Sequence, residues 1–201
     1  MTQSSIISQF KILQSIFPFE AANSALVEFA PNLCSNANVN DEIFIALGSN
    51  MGDREGNLLL AIATIGKLAT TKITSLSPFY DTEPVGGPLQ ENFLNAVIRL
   101  SSSIPPRELL HNLLQIENTV FHRTRDCHWG PRNIDLDLLF YGREIITEPP
   151  ELLLPHPRIA ERRFVLAPLA DIAPDFVHPA CNKSITELLN ALPAGNKVTR
   201  T

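Results

Sequence analysis

Trp129-Gly130-Pro131-Arg132-Asn133-Ile134-Asp135-Leu136-Asp137-Leu138-Leu139-Phe140-Tyr141-Gly142 reads as a turn that runs straight into a strand. Side chains alternate along a strand, so Ile134, Leu136, Leu138 and Phe140 share one face and Asn133, Asp135 and Asp137 the other. Two residues of strand advance the chain by roughly 6.5–7 Å. Asp135 and Asp137 therefore stand side by side, too close for both to be comfortably ionised without a cation between them. Mg2+ suits such a pair, because it takes one or two carboxylates and completes its shell with water and substrate phosphate oxygens. Taken alone, an Asp-x-Asp reads more readily as solvated surface decoration. The context favours chemistry: Arg132 lies three residues before Asp135, and Trp129 precedes a stiff Gly130-Pro131 turn. A guanidinium, paired carboxylates and a flat indole are what a nucleotide polyphosphate with its metal requires.

Working outward, 201 residues at 44% hydrophobic suit one compact domain plus an extension. A net charge of −5 argues against a nucleic-acid partner held through phosphate contacts. Arg123, Arg125, Arg132, Arg143, Arg158, Arg162 and Arg163 nevertheless crowd into one stretch, which points to a small anionic ligand. The widely spaced Cys34, Cys127 and Cys181 read as free thiols of a reducing compartment, the cytoplasm. His122, Cys127 and His128 supply three candidate zinc ligands and no fourth. No apolar run reaches the ~18 residues of a membrane span, so no membrane partner is expected.

Residues 1–40 are nearly uncharged, rich in Ser, Asn and Ala, and read as a partly ordered N-terminal extension; Ile6, Phe10, Leu13 and Phe17 fit a short helix. Residues 41–201 form the domain. The apolar run 43–47 predicts a central strand, ended by Gly48-Ser49-Asn50. Asp53 is placed to cap a helix striped with Leu58, Ile62, Ile65 and Leu68. A second strand is expected over residues 73–80. After it, Asp81-Thr82-Glu83-Pro84-Val85-Gly86-Gly87-Pro88 predicts a flap. Residues 93–101 form a third strand with Leu94, Ala96, Ile98 and Leu100 inward. Phe93 and Asn95 on its other face are either simply exposed or, if this strand neighbours that of Asp135, part of the same floor. Pro105-Pro106 opens a helix carrying Leu109, Leu113 and Ile116. Further on come a hairpin turn at Tyr141-Gly142-Arg143-Glu144 into Ile145-Ile146, a rigid Leu154-Pro155-His156-Pro157 loop, a basic turn over 158–163, and helices over 165–170 and 183–192. Strand, helix, strand, strand, helix, strand is the ferredoxin-like split βαβ order of an α+β fold. Its sheet is mainly antiparallel, with helices on one side and the other side free for a ligand.

Four stretches in this order resemble the 6-hydroxymethyl-7,8-dihydropterin pyrophosphokinases of folate synthesis: Ala46-Leu47-Gly48-Ser49-Asn50, Phe93-Leu94-Asn95-Ala96, Trp129 to Asp137, and Pro155-His156-Pro157-Arg158 with Arg162-Arg163-Phe164. The resemblance implies transfer of pyrophosphate from ATP to the pterin hydroxymethyl group, with two Mg2+ ions on Asp135 and Asp137. Arg123, Arg125, Arg132 and His156 would be catalytic. Gln115, Glu117, Trp129, Leu138, His156 and Arg162 would meet ATP. Gly48, Thr82, Val85, Phe93, Asn95 and Phe164 would meet the pterin, the two aromatic rings stacking on it. It also implies a monomer working beside other folate enzymes.

Without the resemblance, several of these residues have plainer readings. Phe93 and Phe164 could be core aromatics, Gly48 a turn glycine, and Gln115 and Glu117 an exposed helix end. The chain departs from the family in two places. Phe121-His122-Arg123-Thr124-Arg125 carries its Arg-x-Arg one residue late and lacks the usual glycine, and Glu83 stands where proline is common. A binding module that lacks turnover and a metal-dependent phosphohydrolase are the competing readings.

Overall fold

Strand β1 (Asn40–Ser49) is apolar on both faces, and both faces are covered. It lies between β4 (Phe93–Ser102) and β5 (Asp135–Tyr141), antiparallel to each. The computed structural model describes residues 39–122, 130–193, 195 and 197–201. Arg123, Arg125, Cys127, His128, Trp129, Cys34 and the helix expected near Ile6 lie outside the described residues.

On one side of the sheet pack α1 (Arg54–Ile65) and α2 (Pro106–Thr119). Asp53 caps α1 as its sequence suggests, with Oδ1 accepting from the Gly56 N–H at 3.0 Å. Leu58, Ile62, Leu109 and Leu113 are at most 1% exposed, and each buried side chain of this size contributes roughly 1.5–3 kcal/mol. In the last turn of α2, Glu117 is 1% exposed, and its Oε1 accepts from the Leu136 N–H at 2.7 Å. A buried carboxylate thus ties α2 to the strand position between Asp135 and Asp137.

The single strand expected over residues 73–80 is two, β2 (Thr71–Leu76) and β3 (Tyr80–Thr82), both paired with β4. Pro78 has no N–H to give the ladder, and Ser77 compensates. Its N–H donates to Val97 O at 2.9 Å, and its Oγ accepts from the Val97 N–H at 2.9 Å. Between β1 and β5 the register shifts at Phe44/Ile45, since Phe44 faces Phe140 while Ile45 faces Leu138. Leu139 is the extra residue of this bulge. The sequence placed Phe140 on the face of Leu136 and Leu138; the bulge reverses it, and its ring lies 6.1 Å from Phe44 and 4.8 Å from Phe176.

The later elements extend the expected plan. The turn after β5 does not fold back as a hairpin onto it. Gly142 adopts φ +56°, its N–H donates to Glu42 O, and the chain leaves to form a separate two-stranded sheet of β6 (Ile146–Glu148) and β7 (Leu152–Leu154). Helices α3 (Arg163–Ile172) and α4 (Ile185–Ala191) then cover Phe44, Val97 and Phe140 with Val165, Leu166, Leu169, Ile185 and Leu188. The helices of the split βαβ unit share one side as expected, and this second layer covers part of the side left for a ligand. Strand β8 (Val198–Arg200) adds to the sheet next to β3, giving the order β5-β1-β4-β3-β8 with β2 also on β4. Among the described residues no helix is long and apolar enough to cross a membrane.

The chain has two tyrosines, and both are held protonated. Burial, then the hydrogen bond and charge of Asp171, push Tyr80 up to about 12; burial raises Tyr141. A phenol whose pKa is raised by folding contributes stability that is fully present below the unfolded value of about 10 and is lost as pH rises through the folded value. Ultraviolet titration at about pH 10 is therefore expected to show less tyrosinate in the folded protein than after unfolding, where each phenol is about half ionised. Glu117→Ala is expected to lower the unfolding free energy by about 1–3 kcal/mol in chemical denaturation, with Glu117→Gln, which keeps an acceptor oxygen, losing less.

Candidate active site

The ladder fixes the site before any side chain is considered. Gly48 of β1 faces Asn95 on β4 and Asp135 on β5, and Ala46 faces Val97 and Asp137. With strands ~4.8 Å apart, Asn95 and Asp135 stand about 10 Å apart on one row, with Gly48 between them. A Cβ at Gly48 would come within 2.7 Å of Asn95 Oδ1. The glycine is thus required first by the Asn95 amide that leans over it.

Each carboxylate has its own arginine. Arg132 Nη1 donates to Asp135 Oδ2 at 2.9 Å, and Arg162 Nη1 donates to Asp137 Oδ2 at 2.9 Å. Each guanidinium also lies over an aromatic ring, Arg132 at 5.8 Å from the Phe93 centroid and Arg162 at 5.6 Å from that of Phe164. The carboxylates are about three-tenths exposed, at 29% and 31%, so the pairs are reachable from solvent.

His156 reaches the site from the loop after β7, where its backbone N–H donates to Leu139 O at 2.9 Å. Burial holds its ring below the usual histidine range, which outweighs the opposing pull of Asp137. Its Nδ1 accepts from the Arg158 N–H at 3.2 Å, so the proton of the neutral ring sits on Nε2, 3.9 Å from Asp137 Oδ2. The ring presents a neutral N–H donor there; at that distance it makes no salt bridge.

Toward β3, Asn95 Nδ2 donates to Thr82 Oγ1 at 2.7 Å, with Thr82 2% exposed. Phe93 and Phe164 are half-buried, leaving ring surface accessible. Val85 is 61% exposed on the flap. Of the remaining sequence candidates, Gln115 is exposed on α2, and Glu117 is buried beneath β5. Leu138 corrects the reading of a nucleotide contact, because its side chain is 3% exposed and belongs to the core. The arginine-rich stretch also divides. Arg132 and Arg162 are at the carboxylates, whereas Arg163 donates to Leu192 O at 2.9 Å beyond the end of α4, and Arg143 lies over Phe176.

Asn50, read from sequence only as a turn residue, is 3% exposed and joins three segments. Its N–H donates to Arg132 O at 3.2 Å, its Oδ1 accepts from the Arg132 N–H at 2.8 Å, and its Nδ2 donates to Gln90 Oε1 and Glu91 O. Arg54 was passed over too. It donates to Asp81 Oδ2 at 3.0 Å and Asn92 O at 2.8 Å, holding together the two ends of the flap. A cation in the first turn of a helix opposes the helix dipole, and that was the visible signal.

The donor set suits magnesium. Two neighbouring carboxylates, Asp135 and Asp137, offer hard oxygens. That is the sparse protein ligation Mg2+ accepts when substrate phosphates complete its shell.

Comparison with known proteins gives the family. The family model described as 7,8-dihydro-6-hydroxymethylpterin-pyrophosphokinase matches residues 44–174. A 2-amino-4-hydroxy-6-hydroxymethyldihydropteridine pyrophosphokinase of Bacillus subtilis is 48% identical over 134 residues, covering 67% of this chain and 79% of the relative. A Lactococcus lactis protein named bifunctional protein FolKE is 39% identical over 129 residues, 64% of this chain and 36% of that protein. Among solved structures, HPPK-DHPS of Plasmodium falciparum with pterin and p-hydroxybenzoate aligns with a TM-score of 0.61 at 17% identity, over 79% of this chain and 44% of that one, which bears on the fold alone. The chain belongs to the 7,8-dihydro-6-hydroxymethylpterin-pyrophosphokinase family.

Proposed function

We infer that the chain transfers the pyrophosphoryl group of ATP to the hydroxymethyl group of 6-hydroxymethyl-7,8-dihydropterin in folate synthesis, with AMP as leaving group. The observation that carries this reading is the single row of Asn95, Gly48 and Asp135, which sets a platform for a flat heterocycle beside the paired carboxylates.

In this reading the pterin lies between Phe93 and Phe164. Asn95 Oδ1 accepts from the ring edge while Thr82 holds the amide in place. Flap groups near Val85 close over it. Asp135 and Asp137 would hold Mg2+, two ions by the family resemblance, which when bound would neutralise triphosphate charge and acidify the attacking hydroxyl. Arg132 and Arg162, which pair with Asp135 and Asp137, can take phosphate oxygens of the nucleotide as partners in their place. With Arg123, Arg125 and the Nε2–H of His156, they stabilise charge as the hydroxyl oxygen bonds to the β-phosphorus and the bridging oxygen departs with AMP. Gln115 and Trp129 would meet the nucleotide. Glu117 acts through Leu136 as a positioning residue. We place the protein in the cytoplasm, as a monomer beside other folate enzymes.

Incubation with ATP, Mg2+ and the reduced pterin tests the assignment. AMP should form only when pterin is present; release of phosphate or pyrophosphate without pterin would mean a hydrolase, and no product a binding module. Asp137→Ala should abolish turnover through lost metal binding, and Asp135→Asn should keep the fold by circular dichroism yet lose activity. If either retained a near-native rate, the metal assignment would fail. Gly48→Ala should displace Asn95 and raise the pterin KM more than the ATP KM.

A further inference from the structure

Strand β3 is only three residues long, yet it carries Thr82, whose hydroxyl fixes the Asn95 amide, and it leads directly into the flap. On its outer side it is fastened along its whole length. β8 pairs with it antiparallel, Arg200 opposite Tyr80, Thr199 opposite Asp81 and Val198 opposite Thr82. Beyond Tyr80 the Thr201 N–H donates to Phe79 O at 3.0 Å. Asp171 of α3 accepts from the Tyr80 hydroxyl at 2.7 Å and lies 3.8 Å from an Arg200 guanidinium nitrogen, so one carboxylate anchors both strands.

At the flap end the pairing continues past the last strand residue. The Glu83 N–H donates to Lys197 O at 3.3 Å, and the Lys197 N–H donates to Glu83 Oε2 at 3.3 Å. Glu83 is exposed, so packing does not hold it, and a cleft lined by Asp81, Glu83, Asn92, Lys197 and Thr199 lies alongside. Two hydrogen bonds, one of them charge-assisted, therefore set where the rigid ladder ends and the loop begins. Gly86 and Gly87, at φ +75° and +81°, start the permissive part of the flap three residues later.

We propose that Glu83 and Lys197 are positioning residues for the pterin: by carrying the β3–β8 ladder past Thr82 they fix the stem of the flap and so set affinity for the flat heterocycle. The proposal rests on the pterin site described above. Without this pair the β3–β8 ladder stops at Thr82, the residue whose hydroxyl holds Asn95. On the ATP side, Asn50 and Arg132 hold each other through two hydrogen bonds that involve neither Glu83 nor Lys197.

The test uses the full-length chain with Glu83→Pro, which removes both bonds, Glu83→Ala, which removes only the carboxylate, and Lys197→Pro, which removes only the Lys197 N–H. Steady-state kinetics are followed in each, with amide hydrogen exchange at Thr82 and Val85. Glu83→Pro is expected to raise the pterin KM roughly three- to tenfold and to speed that exchange, with the ATP KM changed by less than about twofold. Glu83→Ala and Lys197→Pro should each give the same smaller effect. The double variant Glu83→Pro/Lys197→Pro should be no worse than Glu83→Pro alone, since both act on one contact. Faster exchange with an unchanged pterin KM, or a parallel rise in the ATP KM, would overturn the proposal. A wild-type chain that forms no pterin-dependent AMP would instead overturn the functional reading.

Discussion

The structure depends on one constraint: β1 is buried on both faces and must be paired on both edges. A continuous apolar run from residue 43 to 47 can be hidden only at the centre of a sheet with a layer on each side. Once β1 is central, the antiparallel ladders to β4 and β5 fix which residues share a row. The distance between the heterocycle platform and the carboxylates then follows from strand spacing and not from any loop. The flap and the turns that carry Arg132 and Arg162 are attached to this row without determining it.

The site is electrostatically balanced. Two partly exposed carboxylates, two residues apart on β5, repel each other, and each is neutralised by an arginine resting on an aromatic ring. Replacing carboxylate by phosphate as the partner of each arginine exchanges one charge-assisted contact for another. In the proposed function a triphosphate would take over these partners one for one. His156 completes the set as a neutral donor, because burial keeps its ring uncharged where a third cation would oppose Arg162.

Much of this was legible in the sequence because it rests on period-two alternation. Asp135 and Asp137 against Leu136, and Phe93 and Asn95 against Leu94, are assigned to faces by counting alone. Counting failed at Phe140, since a bulge at Leu139 has no local signature there. It failed again at residues 73–80, where Pro78 was visible but the repair by Ser77 was not. Asn50 and Glu117 escaped for a different reason. Their roles are contacts made across 82 and 19 residues of chain, and a side chain that satisfies a distant backbone group looks in sequence like any turn asparagine or helix-end glutamate. The arginine cluster showed the converse: proximity in sequence grouped Arg143 and Arg163 with Arg132 and Arg162, and folding separated them.

The excursion through β6 and β7 leaves the main sheet after β5 and returns with His156 fastened by one backbone bond to Leu139. Its two-stranded sheet forms no ladder with the main sheet and is held from outside by Arg107 of α2, which pairs with Glu148 and Glu151. Closure entropy grows only slowly with contour length. Extra residues spliced between Glu148 and Glu151 should therefore cost little closure entropy, the Arg107 pairs being the contacts at stake, while the neutral imidazole still arrives on register.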